Sequence, residues 1–520
     1  MRKKLISVFA CILLCAMIIP STKSLKDITT DSTSYSITQP AVTENWTETQ
    51  KLLPSNGTAE VEFGFSVSLS GNTALIGEPF DDSYKGAAYV FINTGDTWAQ
   101  QAKLLASDAI YWCRFGNSVY LAGDTAIIGA PSDDDNGNIS GSAYIFTRNG
   151  TIWTQQAKLL ALDGAAGDRF GCSVSLYNNT ALIGAYGDDN NGEDSGSAYV
   201  FTRTNNTWTQ QAKLLASDGE SHDFFGDSVS LSADTALIGA PGYYYPYKTG
   251  YSYVFTRSET TWIQQGKLLA PDGEEVDLFG DSVVLAGDTA LIGATADDDN
   301  GHNSGSVYVF TCSDNIWTYQ QKLLASDGAE QDMFGVSVSL SNNTALVGAV
   351  RDDDYKGSAY VFTRIGTEWT QQTKLIASDG AAVDCFADSV SLDNDTALIG
   401  APSDDDNGLN SGSAYIFTRE GGITGFTYDI TGGLGVNLKI TNNGTIKSTV
   451  ADWQIHVEGG ILGKINKTIN GTIDIPTGET KTVGTGMFFG LGPITITAKV
   501  ADEEQTATGT QLIIFSMVKK

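Results

Sequence analysis

Between Trp46 and Arg419 one unit of sequence is repeated seven times, and this repetition limits the fold more than anything else in the chain. A representative copy, Trp317 to Arg364, opens with W-T-Y-Q-Q-K-L-L and turns through the acidic A-S-D-G-A-E-Q-D to a Phe-Gly step at Phe334. Two strand patterns follow, S-V-S-L and T-A-L-V-G-A, then the loop V-R-D-D-D-Y-K-G and a last strand, S-A-Y-V-F-T-R. The phenylalanine recurs at Phe63, Phe115, Phe170, Phe225, Phe279, Phe334 and Phe386. The tryptophan recurs at Trp46, Trp98, Trp153, Trp208, Trp262, Trp317 and Trp369. Four short strands per unit at a period of roughly 50 residues indicate a propeller or a solenoid.

The ends of the repeat separate these two architectures. Counted from each Phe-Gly step, the seventh unit stops at Arg419 without a fourth strand, while a spare copy, W-T-E-T-Q-K-L-L, precedes the first unit at residues 46–53. A ring explains both: the N-terminal strand completes the last blade. A solenoid would leave two bare edges needing polar caps. The expectation is an all-β chain with a closed seven-bladed β-propeller at 46–419.

The Phe-Gly step followed by G-A-P (Gly129-Ala130-Pro131, Gly239-Ala240-Pro241, Gly400-Ala401-Pro402) resembles the FG-GAP repeat of integrin α-subunit propellers and related prokaryotic surface proteins. Several copies depart from it: Gly184-Ala185-Tyr186, Gly293-Ala294-Thr295, Gly348-Ala349-Val350, and Phe386-Ala387 in place of Phe-Gly. The resemblance implies an upper propeller face that meets ligands. It does not bring the calcium ligands of integrins, a D-x-D-x-D-G loop between first and second strands. The corresponding hairpins here, such as Ser70-Gly71-Asn72-Thr73, are too short to hold it.

Within a blade, small serines suit the crowded axis, glycine and alanine let backbones approach, and the Phe and Trp columns fill the outward-widening wedge. Strand direction alternates, so the loops from second to third strand share a face with the links between blades. That upper face holds more than half of the 61 acidic residues in a chain of net charge −30. Nucleic acid and anionic membranes are excluded as partners by this charge. Like charges about 4 Å apart repel by about 1 kcal/mol even in water, so the face calls for counter-ions. No cofactor is required by the sequence; calcium, a hard cation with several oxygen ligands, is the candidate counter-ion, with Asp133, Asp135, Asp297, Asp299, Asp404 and Asp406 of the D-D-D loops as its candidate ligands. The alternative is that these loops are plain solvated acidic turns.

Two upper-face loops break the acidic rule: Ile110-Tyr111-Trp112-Cys113-Arg114, and Gly242-Tyr243-Tyr244-Tyr245-Pro246-Tyr247-Lys248. Exposed Tyr111, Trp112, Tyr243, Tyr244, Tyr245 and Tyr247 suit recognition of a protein or glycan. Otherwise the tyrosines fold back over their own blade. The lower face carries N-x-[ST] sequons at Asn45, Asn149, Asn178, Asn205, Asn342 and Asn394, and the C-terminal region adds Asn443, Asn466 and Asn470. These are glycosylation candidates in an exported chain, although Asn in hairpins generates the same pattern.

Arg2, Lys3 and Lys4 precede an apolar run from Leu5 to Pro20, the layout of a secretory signal peptide over residues 1–24, or else of an uncleaved anchor. A Ser/Thr-rich lead-in spans 25–45, and no later run is long enough for a membrane helix. Cys113, Cys172, Cys312 and Cys385 are too few for a disulfide framework and read as unpaired small apolar residues. A Gly-rich joint at 420–425 leads to residues 426–520, where short alternating strands (Val436–Thr441, Trp453–Val457, Gly471–Ile475, Ile494–Ala498, Thr510–Ile514) suggest a β-sandwich resembling the immunoglobulin-like modules of surface proteins.

No histidine pairs with a nucleophile or zinc pattern, so the chain is not expected to be an enzyme, with carboxylate chemistry in the central cavity as the residual exception. The sequence points to a secreted or cell-surface recognition or adhesion module, binding a protein or glycan through the upper face. The other reading is a structural cell-envelope component assembled with divalent cations.

Overall fold

In the computed structural model the described residues are 45–519 apart from 96, 244–247, 421–425, 432–435, 443–447, 460–464, 477–479, 485–489, 501–502 and 514. Two compact units emerge, one of Pro40–Ile423 and one containing Thr424–Lys520.

The first unit is a β-propeller of seven four-stranded antiparallel sheets. Blade 2 is typical. From the axis outward it runs Ser118–Ala122, Thr125–Ala130, Ser142–Asn149 and Ile152–Leu159. The second strand is buried almost throughout because neighbouring blades cover both of its faces, which is why T-A-I-I-G-A has no polar alternation. Gly129 in that strand is required by close approach: a Cβ there would lie 2.0 Å from the carbonyl oxygen of Gly171 in the next blade.

Inner-strand serines do more than fit. Ser118 Oγ donates to the Gly171 carbonyl at 2.9 Å, and Ser68 Oγ accepts from the Leu121 N–H at 2.9 Å. The S-V-S-L alternation therefore laces each blade to the next through hydroxyl–backbone hydrogen bonds, which satisfies buried backbone groups at the axis.

The outer strand of the seventh sheet comes from the other end of the unit. Asn45–Leu52 pairs antiparallel with Ser413–Glu420, placing Trp46 opposite Arg419. A register shift between Glu48 and Gln50 matches the shift at Ile145/Phe146 in blade 2, so this strand carries the geometry of an outer strand. Blade 1 meets blade 7 as the other neighbours meet: Phe63 bridges Gly412, and the Val67 N–H donates to Ser389 Oγ at 3.0 Å.

All seven column phenylalanines are fully buried. Phe170 packs edge-on against Tyr199 and Phe201 of the third strand, with centroids 5.4 and 5.9 Å away. The tryptophans differ from expectation. Trp98, Trp208 and Trp369 are buried, but Trp46, Trp153, Trp262 and Trp317 are half-buried at the lower rim. There Arg148 stacks over Trp153 at 5.3 Å while the indole N–H donates to Gln101 of the preceding blade. An amphipathic indole suits a site with one apolar side and one polar partner.

In the second unit, Phe426–Thr431, Asn437–Asn442 and Thr480–Gly484 form a three-stranded sheet. A five-stranded sheet runs Ile465–Pro476, Ser448–Gly459, Gly490–Val500, Glu503–Ile513, Phe515–Lys519. Leu438 and Ile440, and likewise Ile455 and Val457, are buried at alternate positions, as one-faced strands require. Several strands are longer than the apolar alternation indicated: Trp453–Val457 lies inside Ser448–Gly459 and Gly471–Ile475 inside Ile465–Pro476.

Candidate functional site

Each complete upper rim is built around a lysine. Lys158, on the outer strand of blade 2, places Nζ 2.8 Å from Asp108, 2.9 Å from Asp133 and 2.6 Å from Asp135. Lys322 does the same in blade 5 with Asp272, Asp297 and Asp299, at 3.1, 2.8 and 2.6 Å. In blade 7 the lysine arrives on the N-terminal strand: Lys51 reaches Asp379, Asp404 and Asp406 at 2.9, 2.8 and 2.6 Å. A third-strand tyrosine completes each cluster, the Tyr144 hydroxyl lying 2.8 Å from Asp133 and 3.0 Å from Asp108. Hydrogen bonds to three carboxylates hold the Lys51, Lys158 and Lys322 ammoniums charged, against their burial. Asp133 is held below the usual carboxylate range: burial opposes this, but Lys158, Ser142 and Tyr144 outweigh it.

This geometry bears on the six aspartates expected to hold calcium. Asp133, Asp297 and Asp404 are buried, and with Asp135, Asp299 and Asp406 they already surround an ammonium. Among the described residues no three His, Cys, Asp or Glu side chains gather as a metal site. The donor set does not fit a resident divalent cation, which would have to displace the lysine. The counter-ion that the acidic loops call for is supplied by the fold.

Acids in the inter-blade links are also structural. Asp168 accepts from the Ala165 N–H at 2.7 Å and Asp384 from the Ala381 N–H at 2.6 Å, and Asp223, Asp277 and Asp332 repeat this, capping the turn ahead of the column phenylalanine in blades 3 to 7. Burial pushes Asp168 and Asp277 up to about 6.

At the axial mouth the repeat is broken differently. The residue after the Phe-Gly step is aspartate in three blades: Asp227, Asp281 and, after Phe386-Ala387, Asp388. Tyr243, expected on the surface, instead folds inward, its hydroxyl donating to Asp227 at 3.0 Å and touching Asp281. Thr295 donates to Asp281 at 2.8 Å. Burial, then repulsion from Asp281, raises Asp227 to about 7 and Asp388 to about 6. Glu62 is raised to about 7 by burial, then by Asp388. Tyr244, Tyr245 and Tyr247 lie outside the described residues.

Tyr111 and Trp112 are exposed, at 65% and 58% of their surface. Trp112 stacks on Tyr84 of blade 1 with centroids 4.1 Å apart and planes at 17°, and Lys85 lies over the Tyr111 ring at 4.9 Å. Tyr84 in turn packs edge-on against Phe80, which carries Arg114 over its ring at 5.3 Å. The loop Ile110–Arg114 thus joins blades 1 and 2 in one aromatic–cationic patch, separate from Tyr243. Trp112 has a φ of 73°, a conformation few non-glycine residues adopt.

On the lower face Asn149, Asn178, Asn205, Asn342 and Asn394 are exposed. The last four have φ between 53° and 57°, so the hairpins themselves favour asparagine there. Asn466 and Asn470 are exposed on Ile465–Pro476. The side chain of Asn45 and all of Asn443 fall outside the described residues. The four cysteines of the described residues are free, Cys113 buried and the other three half-buried.

Sequence reasoning overlooked the cluster lysines and tyrosines. The signal was present: a lysine in every K-L-[LI] and a tyrosine inside every apolar third strand, a polar pair at fixed positions in an otherwise buried blade.

Seven repeated four-stranded blades, each carrying a buried column phenylalanine, define the class as a β-propeller assembled from a single repeated motif. The chain matches the FG-GAP repeat at residues 46–91, 98–146, 153–201, 208–255, 262–310, 317–362 and 369–417, and it belongs to that family. It is 30% identical to integrin alpha-11 of Homo sapiens over 106 residues, 19% of this chain and 9% of that protein. The chain therefore spans under a tenth of that relative's length. Among solved structures it is similar to Saccharomyces cerevisiae Sqt1, with a TM-score of 0.41, 11% identity, and coverage of 91% of this chain and 99% of that one; so low a score carries no argument. No helix among the described residues is long and apolar enough to cross a membrane.

Proposed function

We propose that this chain is an exported recognition or adhesion module that binds a protein or glycan through the upper face of its propeller. The observation that carries this reading is the exposed Tyr111–Trp112 pair, held in a fixed pose by the stack on Tyr84 and bordered by acidic loops. Aromatic rings held rigid at the surface bind with little entropy loss, and they are enriched where partners dock. The similarity to integrin alpha-11 supports the same class of role. Export rests on Arg2-Lys3-Lys4 and the Leu5–Pro20 run, and closure of the ring on the strand Asn45–Leu52. The C-terminal unit, with its two antiparallel sheets, serves as an immunoglobulin-like spacer in this reading.

The test is binding of the purified chain to arrays of glycans and of extracellular proteins, repeated with the Tyr111→Ala/Trp112→Ala double variant. A ligand whose affinity falls at least about tenfold in the variant, roughly 1.4 kcal/mol, supports the proposal. Ligands bound equally by both proteins, or none at all, contradict it. Ordered self-assembly on adding calcium would favour an envelope component instead.

A further inference from the structure

On the lower face, arginines at the end of the third strand sit in a cradle that recurs around the propeller. Arg257 of blade 4 shows it complete. Its backbone N–H donates to the Asp234 carbonyl at 2.8 Å, its Nε to Asp234 Oδ1 at 2.7 Å, and its Nη1 to Thr180 Oγ1 of the preceding blade at 3.0 Å. The guanidinium lies over the Trp262 ring at 5.3 Å, and the Trp262 indole N–H donates to Gln211 at 2.9 Å. Arg148 and Arg364 repeat this with Trp153 and Trp369, and Arg203 and Arg419 also stack on their tryptophans.

Blade 5 retains the cradle and lacks the arginine. Cys312 occupies its place, donating its N–H to the Asp288 carbonyl at 2.8 Å and pairing across the strands with Trp317. Asp288 corresponds to Asp234, Thr235 to Thr180 and Gln265 to Gln211. All three line a cavity of about 440 Å³ together with Trp317, Cys312 and Asp314. Replacing an arginine by cysteine leaves a hollow whose walls still carry the groups that bind a guanidinium in the neighbouring blades. Blade 1, with Asn93 at the same position, differs: its Trp98 is buried, whereas Trp317 is only half-buried.

We propose that the cavity between blades 4 and 5 is a binding site for a guanidinium group supplied from outside the blade, either an arginine side chain of a partner protein or a free guanidino compound. Asp288 accepts the charge-assisted hydrogen bonds, Thr235 Oγ1 accepts a further one, and the Trp317 face takes the cation. Asp288 also accepts from Thr289 at 3.0 Å, which leaves its second oxygen for the ligand. Arg364 of blade 6 approaches this region but is bonded to Asn343 and Thr289. Among the described residues no cationic side chain lines the cavity, and Asp314 adds a second negative charge. An ammonium would satisfy the charge but not the planar, forked hydrogen-bond pattern.

Calorimetric titration of the full chain with agmatine, an arginine-containing peptide and butylamine tests this directly. Agmatine and the peptide are expected to bind at millimolar concentration or better, and butylamine at least about tenfold more weakly. Binding of the peptide alone would assign the site to a protein partner; tighter binding of agmatine would assign it to a free guanidino compound. Cys312→Arg should fill the cradle from within, raise the melting temperature by a few degrees and abolish binding. Asp288→Asn, at an exposed position, should keep the fold and weaken binding by about tenfold. The proposal is overturned if agmatine and the peptide both fail to bind the wild type, or if butylamine binds as well as agmatine. It is equally overturned if either variant binds like the wild type.

Discussion

Blades 2 and 5 on one side, and blades 1 and 4 on the other, share a backbone plan but differ at the upper rim. In blades 2 and 5 one lysine is ringed by three aspartates and a tyrosine. In blade 1 Asn56 replaces the inter-blade aspartate, Lys103 is left with Asp81 at 2.5 Å, and Tyr89 donates to Glu78, which stands where other blades have alanine. Glu78 is buried, one of its oxygens has no hydrogen-bond partner, and burial raises it to about 8. In blade 4 the D-D-D loop is gone and Lys267 keeps Asp218 alone, at 2.8 Å. The comparison teaches that the acids of the complete blades are internal scaffolding. Unusual chemistry gathers where the repeat is broken: the aromatic patch joining blades 1 and 2, the Tyr243 contact at the axis, and the hollow under Trp317.

Four substitutions would break or sharpen that contrast, from the strongest downward. Truncating a fully buried column residue, Phe170→Ala, should cost about 3–5 kcal/mol whichever blade it falls in, read as a shift of the denaturation midpoint. Lys158→Met should cost a similar ~3–5 kcal/mol because it strands buried Asp133, whereas Lys267→Met, whose partner Asp218 is half-exposed, should cost about 1 kcal/mol or less. Equal costs for the two lysines would remove the distinction between complete and broken blades. Smaller still, Ala387→Gly should stabilise by about 1 kcal/mol, since Ala387 adopts a φ of 70° at the position glycine holds in the other Phe-Gly steps. A loss of stability there would show that the methyl group packs better than the backbone strain suggests.

The pH profile offers a further check. Asp168, Asp277, Asp388, Asp227, Glu62 and Glu78 have folded values raised to between about 6 and about 8. The unfolded chain releases these protons near pH 4 while the folded chain keeps them. Stability should therefore fall as pH rises from about 4 to about 8. Asp133 and Asp188 are shifted downward, so their contribution is present above about pH 4 and lost on further acidification. The melting temperature should peak on the mildly acidic side, and Glu78→Ala should flatten the decline near pH 8. A melting temperature that climbs steadily from pH 5 to 8 would contradict the burial of these groups.

The fold was legible because a repeat states its own period: the Phe-Gly step marks the blades, and the spare W-T-E-T-Q-K-L-L at 46–53 marks an extra outer strand, which the structure has at Asn45–Leu52. The site was only half legible. Tyr111 and Trp112 are exposed, but for Tyr243 both readings stayed open, because composition does not reveal whether a loop tyrosine points outward or toward the half-buried Asp227 and Asp281. The D-D-D loops suggested a metal because sequence proximity displays the carboxylates together and hides the lysine, which arrives from another strand and, for Lys51, from the far end of the propeller. The guanidinium cradle was invisible for a related reason. Cys312 looks like a small apolar residue until Trp317 and Asp288 are seen beside it.

The most direct test of an internally neutralised rim is a thermal melt of the purified chain with calcium and with chelator, alongside Lys158→Met. A ligand that binds the native state must raise the melting temperature. The wild type should melt at the same temperature in both conditions, with its ammoniums occupying the carboxylates, and a calcium-dependent rise in the wild type would contradict the account.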